Sequence, residues 1–182
     1  MATTCSQTLS GLAVQCDTSK GGINKVYIAE YPGMGTSGIT SGVTIDASAG
    51  TVSEISSACT FYAYNFKRNT GSMTSTLNVD AANGTNYVST DLVLQFNKMD
   101  TVKRLEMSAL SLGELLVVCV DSNNKAWVLG INEPVSASAG TGQTGQAKTD
   151  GNYYQITLQA NDDTFPLEYN GEISDLTIHE GE

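Results

Sequence analysis

Apolar and polar residues alternate with a period of two along most of this chain, the spacing that puts one side of a β-strand into a core. In INKVYIAEY, Ile23 to Tyr31, the residues Lys25, Tyr27 and Ala29 alternate with Val26, Ile28 and Glu30 until Pro32-Gly33 breaks the run. A glycine-rich loop then leads to two short runs, Val43 to Asp46 and Thr51 to Ile55, that suit a small hairpin. The run TFYAYNFK, Thr60 to Lys67, puts Phe61, Ala63 and Asn65 on one face and Tyr62, Tyr64 and Phe66 on the other. After a turn at Asn69-Thr70-Gly71, Ser72 to Asp80 places Met73, Leu77 and Val79 on a common face. Asn83-Gly84 marks a tight hairpin turn, because both residues tolerate positive φ. Tyr87 to Asn97 follows, with Val88, Leu92, Leu94 and Phe96 inward. Later runs are Leu115 to Val120, Ala126 to Ile131 with Trp127 as a core anchor, Tyr153 to Ala160 and Phe165 to Tyr169.

One segment changes period. In Asp100 to Leu112, the residues Val102, Leu105, Ala109 and Leu112 recur at helical spacing, a stripe expected to lie on a sheet. Asp100 is placed as N-cap and Gly113 as the C′ glycine. One mid-chain helix among about nine or ten strands predicts a mainly β chain, a β-sandwich or a partly closed β-barrel. No internal repeat emerges, which excludes a solenoid or propeller.

The segment Glu133 to Gly151, EPVSASAGTGQTGQAKTDG, has almost no apolar side chain to bury. It is expected to be a long flexible arm between two strands, of the kind a self-assembling subunit orders against a neighbour. The chain accordingly divides into an N-terminal arm over 1–22, a single β domain over 23–170 that carries the loop 133–151, and an acidic tail over 171–182.

Charge and candidate chemistry narrow the function. Of 182 residues only 15% are charged, against the usual quarter or so, and nineteen acidic residues outweigh nine basic ones for a net charge of −10. A nucleic-acid grip needs clustered Lys and Arg. Here Lys67-Arg68 and Lys103-Arg104 are isolated pairs, whereas an acidic surface lets DNA pass without sticking. No apolar run reaches bilayer length and the first twenty residues lack a leader pattern, so a cytoplasmic site of synthesis and no membrane are expected. Cys59 and Cys119 are expected as buried thiols. Cys5 and Cys16 lie close enough in sequence to close a loop or share a metal, with a reduced state as the default.

No catalytic constellation assembles. His179, the one histidine, lies in the acidic tail. Asp162-Asp163 sits in a turn without calcium-loop spacing. Gly140 to Gly145 lacks the Gly-Lys-Ser/Thr ending of a phosphate loop, and Asn83-Gly84-Thr85 fits a hairpin better than a glycosylation site. The expectation is a non-enzymatic protein with no catalytic, cofactor-binding or metal-binding residues and no cofactor.

In organisation (β-sheets, one helix after the central strands, long loops and an acidic balance) the chain resembles tail-tube-like structural proteins of tailed bacteriophages. The texture of GGINKVYIAEY and VSASAGTGQTGQAKTDGNYYQITL is similar to virion proteins of Bacteroidales phages and prophages. The resemblance implies a subunit that joins copies of itself and other virion proteins into a ring or tube, touching DNA only as it passes through the bore. It implies that the strands from Thr60 to Asn97 line that channel, that 133–151 is an inter-subunit arm, and that the protein resides in the virion after synthesis in the host bacterial cytoplasm. The alternative reading is a carbohydrate- or surface-binding β-sandwich module, an adhesin or a capsid decoration, using the face of Tyr62, Tyr64 and Phe66.

Overall fold

The computed structural model describes residues 11–12, 18–31 and 42–180. Most of the N-terminal arm, Cys5 and Cys16, the glycine-rich loop after Tyr31, and the last two residues fall outside the described residues. The fold is mainly β and sandwich-like, built from open sheets, none of which closes into a barrel.

The strands are β1 Ile23–Glu30, β2 Val43–Asp46, β3 Thr51–Ile55, β4 Thr60–Tyr64, β5 Gly71–Asp80 and β6 Thr85–Asn97. After helix α1, Thr101–Leu112, come β7 Leu115–Asp121, β8 Ala126–Leu129, β9 Ser136–Gln143, β10 Tyr153–Asp162, β11 Leu167–Glu168 and β12 Thr177–Glu180. A six-stranded sheet has the order β11-β8-β7-β1-β4-β12, a four-stranded sheet the order β5-β6-β10-β9, and β2-β3 form the expected hairpin.

The six-stranded sheet is the middle layer and is covered on both faces. Val26, Ile28, Val117 and Cys119 point into one core, shared with Leu92, Leu94, Ile156 and Leu158 of the four-stranded sheet. Tyr27, Ala29, Leu116 and Val118 point into a second core, closed by Val52 and Ile55 of the small hairpin and by Tyr169 and Leu176. That double burial explains the unbroken apolar run Leu115 to Val120: a strand covered on both sides has no solvent face to mark with polar residues. Phe61 enters the second core, while Tyr64 and Phe66 pack on the first.

Helix α1 begins as its sequence predicts. The Asp100 side chain accepts a hydrogen bond from Lys103 N at 2.8 Å and pairs with Lys103 Nζ at 2.7 Å. Its face is another matter. Val102, Leu105 and Leu112 are exposed, and the helix instead buries Leu110 and half-buries Met107 against the first core. Two aliphatic stripes compete on this short helix, and the one holding Met107 and Leu110 meets the sheet. Gly113 ends the helix at φ −83°, with its N–H bonded to Ala109 O, so no left-handed C′ position is formed.

Two segments carry structure that the alternation does not predict. Within 133–151, residues Ser136–Gln143 form β9, because Val135 is buried and fixed and the backbone finds a full partner in β10. The acidic tail of 171–182 is not loose over its described part. A 3-10 turn at Ile173–Asp175 leads into β12, which pairs in parallel with β4 as Leu176 and Ile178 pack on the second core.

Candidate functional site

The four-stranded sheet is the element with two long outer strands. Its central strands β6 and β10 pair over ten residues, from Tyr153 opposite Asn97 to Asp162 opposite Val88. Their inward residues Leu92, Leu94, Ile156 and Leu158 are buried. Both outer strands are long, and among the described residues no further strand pairs with either. β5, GSMTSTLNVD, runs ten residues with its one charge at the last position, and β9, SASAGTGQ, runs eight with none. Natural edge strands usually carry Lys, Pro or a cover against pairing with another chain. The six-stranded sheet follows that habit with a two-residue edge at β11 and a short edge, β12, bearing His179 and Glu180.

β9 owes its place to small residues. Val135 exchanges both backbone hydrogen bonds with Leu115, at 2.8 and 2.9 Å, so the chain is fixed to the six-stranded sheet before it crosses to β10. The crossing turns at Gly130, whose φ is +91°; a Cβ there would lie 2.9 Å from Leu115 O and 3.0 Å from Val135 Cγ2. Along the strand, Gly142 lies beneath the Tyr154 ring, where a Cβ would stand 2.9 Å from two ring carbons. A register shift between Thr157 and Leu158 bends the pairing. Between β9 and α1 runs a groove of about 400 Å³, lined by Met107, Ser111, Ala137, Gly140, Tyr154 and Ile156.

The face of this sheet turned away from the core is polar but nearly uncharged. Thr74, Thr76, Gln95, Gln155, Thr157 and Gln159 alternate with the buried positions, and Gln159 Nε2 donates to Asp91 Oδ1 at 2.9 Å. None of the four strands contains a lysine or arginine; their charges are Asp80, Asp91 and Asp162. At the far end, the β5–β6 connection is a four-residue loop rather than a two-residue turn. Asp80 accepts from Ala82 N, Asn83 N and Asn83 Nδ2, and these bonds hold its carboxyl below the usual range. Gly84 takes φ +68° there, as its place in the turn predicts. Leu77 and Val79, expected on an inward face, are exposed because the hairpin outruns the core.

The other candidate residues lie apart from one another. His179 stacks on Tyr62, ring centroids 5.8 Å apart at 25°, on the six-stranded sheet. Tyr62 is exposed, whereas Tyr64 is raised in pKa by burial and by its hydrogen bond to Glu106, so the three aromatics do not form one open face. Phe66 is packed edge-on to Phe96. Trp127 is half-buried against the first core, its Nε1 directed at Asp121 Oδ2. Asp162 accepts from Ile131 N and Asn132 Nδ2. Gly140 to Gly145 belong to β9 and the turn after it and open no helix. Cys59 and Cys119 are buried free thiols, and burial pushes Cys119 up to about 12. Among the described residues no cluster of His, Cys, Asp and Glu is arranged to hold a metal ion. No described helix is long and apolar enough to cross a membrane.

Sequence reasoning missed β9 and β12 as strands. The usable signals were the small-residue alternation Ser136-Ala137-Ser138-Ala139 and the pairing of Leu176 with Ile178 around Thr177. No family model, curated protein or solved structure matches the chain significantly.

Proposed function

We propose that this chain is a non-enzymatic structural subunit of a phage virion, a tail-tube-like or neck component that self-assembles into a ring or tube conducting DNA. The observation that carries the reading is the pair of long, unguarded edges on one sheet, β5 and β9. Strand direction alternates across β5-β6-β10-β9, so a neighbour's β5 set beside β9 continues the antiparallel order without a break. The contact is head-to-tail, and such contacts close into a ring when the rotation between copies allows it. The outer face of that sheet supports a DNA-conducting bore: without lysine or arginine, it offers phosphates no partner.

Size-exclusion chromatography with light scattering, and negative-stain images, test the reading. Thr74→Lys with Ala139→Lys places charge on both exposed edges. This variant is expected to lose the oligomer while its unfolding free energy stays within about 0.5 kcal/mol of the parent. A parent chain that remains monomeric at high concentration, with no rings, refutes the proposal.

The exposed Tyr62–His179 stack favours a second reading, a sugar- or surface-binding module, since a flat aromatic face is what a sugar ring packs on. A glycan array probed with the parent and with Tyr62→Ala distinguishes it: binding lost in the variant supports this reading, and no binding by the parent removes it.

A further inference from the structure

The charge of this molecule is sorted along its strand axis. At one end, β1 begins and β7 turns into β8. Lys20 exchanges hydrogen bonds with Asn123 of that turn, Lys25 lies in the first half of β1, and Lys125 ends the turn. The β4–β5 connection meets the same end, because Gly71 packs beside Ile23; it brings Lys67 and Arg68, and Arg68 shares a cleft with Lys20. Lys98 N bonds to Asn152 O, tying the start of α1, with Lys103 and Arg104, to the β9–β10 connection that holds Lys148. These are all nine lysines and arginines of the chain. Among the described residues the acids there are Asp100, Asp121, Asp150 and Glu168; Asp100 and Glu168 pair with Lys103 and Lys125, the only ion pairs among those residues. Asp121 and Asp150 cap turns through backbone N–H groups.

The opposite end is acidic throughout. Glu30 closes β1 opposite Leu115, Glu114 precedes β7, and Tyr31 N bonds to Glu114 O. Glu133 and Asp162-Asp163 line one cleft with Tyr87 and Asn132, and Asp80 sits at the hairpin tip beyond. No lysine or arginine reaches this end, so among the described residues none of these carboxylates has a cationic side chain paired with it. Tyr31 registers the field: burial, then Asp162, Glu114 and Glu133, raise its pKa.

We infer that copies of this chain associate end to end, the basic end of one seating on the acidic end of the next. A second copy is the occupant because each end supplies what the other lacks. Within one chain the two ends stand a full strand length apart, beyond the reach of screened attraction. The inference draws on the ring reading above for one consequence only. Strands in a closed sheet tilt toward the ring axis, so their ends form the two rims and rings stack with a single polarity.

The test uses the full chain in sedimentation velocity and negative stain. Between about 0.01 M and about 1 M salt the screening length falls from about 30 Å to about 3 Å. End-to-end association is expected at the low value and its loss at the high one. Glu30→Lys, Glu114→Lys, Glu133→Lys and Asp163→Lys together make both ends basic, and Lys67→Glu, Arg68→Glu and Lys148→Glu together make both ends acidic. Each variant alone is expected not to stack, and an equimolar mixture of the two to associate again.

Stacking that ignores both salt and charge reversal overturns the inference. So does a parent chain that shows no end-to-end association at low salt, including one whose basic end takes only an added polyanion such as heparin. Rings that form but never stack sink this inference and leave the ring reading standing. Single chains that associate end to end with the stated salt dependence, in the absence of any ring, do the reverse.

Discussion

Replacing Gly130 with alanine tests whether the junction that launches β9 is as constrained as its geometry requires. Gly130 takes φ +91°, a backbone region that costs a residue with a Cβ about 1–3 kcal/mol. The added Cβ would stand 2.9 Å from Leu115 O and 3.0 Å from Val135 Cγ2, and neither neighbour can yield. Leu115 and Val135 are both buried and are bonded to each other through both backbone pairs. Forcing a methyl into such packing adds about 1–3 kcal/mol. Gly130→Ala is therefore expected to cost about 4 kcal/mol, which for a chain of this length lowers Tm by about 10 °C. Gly84→Ala is the control. Its φ is +68°, yet a Cβ there meets nothing within 4 Å, so only the backbone term of about 1–2 kcal/mol remains. Urea unfolding followed by the fluorescence of Trp127, the chain's single tryptophan, measures both. If the two variants lie within about 0.5 kcal/mol of each other, the close approach of Gly130 to Leu115 and Val135 does not hold the junction, and the account of β9 fails.

Leu110→Ala is expected to cost about 2–5 kcal/mol and Leu105→Ala less than about 0.5 kcal/mol, measured by the same unfolding curves, because the helix buries the first and exposes the second. Hydrogen bonds hold the carboxyls of Asp80, Asp100 and Asp150 below their ordinary value of 3.8; for Asp121 burial acts upward, but the N–H groups of Lys125 and Asn123 outweigh it. Lowered folded values mean that this stability is complete above 3.8 and drains as pH falls through the lower folded values, so the urea midpoint should drop on that acid limb and Asp100→Asn should flatten it. In a Cys5→Ser, Cys16→Ser background, Cys119 should resist alkylation at neutral pH until the chain unfolds, since its thiol is pushed up to about 12 by burial; rapid labelling of the folded protein would contradict the packing around it.

The strands with alternating hydrophobicity were legible because their burial is one-sided or because the run is too apolar to be anything but core. Val88 to Phe96 and Leu115 to Val120 illustrate the two cases. The orientation of α1 was not legible. Val102, Leu105 and Leu112 make a better stripe on paper than Met107 and Leu110, but Met107 lies beside β9 and β10 and Leu110 enters the first core, and tertiary packing decides. The tip of the β5–β6 hairpin departs from its pattern for a related reason. Alternation assigned Leu77 and Val79 to a core face, whereas the sheet opposite ends before them. Local pattern gives a residue's face; it does not say whether anything stands on the other side.

β9 brings the unreadable part of the sequence and the open part of the structure to the same residues. A strand is recognised in sequence by side chains that need burial, and SASAGTGQ has almost none. It forms because Val135 anchors its start and β10 satisfies its backbone on one side, while glycines let Tyr154 close over it. Its other side keeps a row of backbone groups with no strand beside them among the described residues, and the strand carries no charge to repel one. A sequence under pressure only to fold alone would gain by placing a lysine or proline there, as edge strands commonly do. β5, the opposite edge, is equally bare for nine of its ten residues. Two such omissions on the two edges of one sheet, in directions that continue each other, are what support the proposed pairing with a second copy. Replacing Ala139 alone with lysine separates these views: an idle edge would tolerate it without change in oligomeric state, and an edge used for pairing would not.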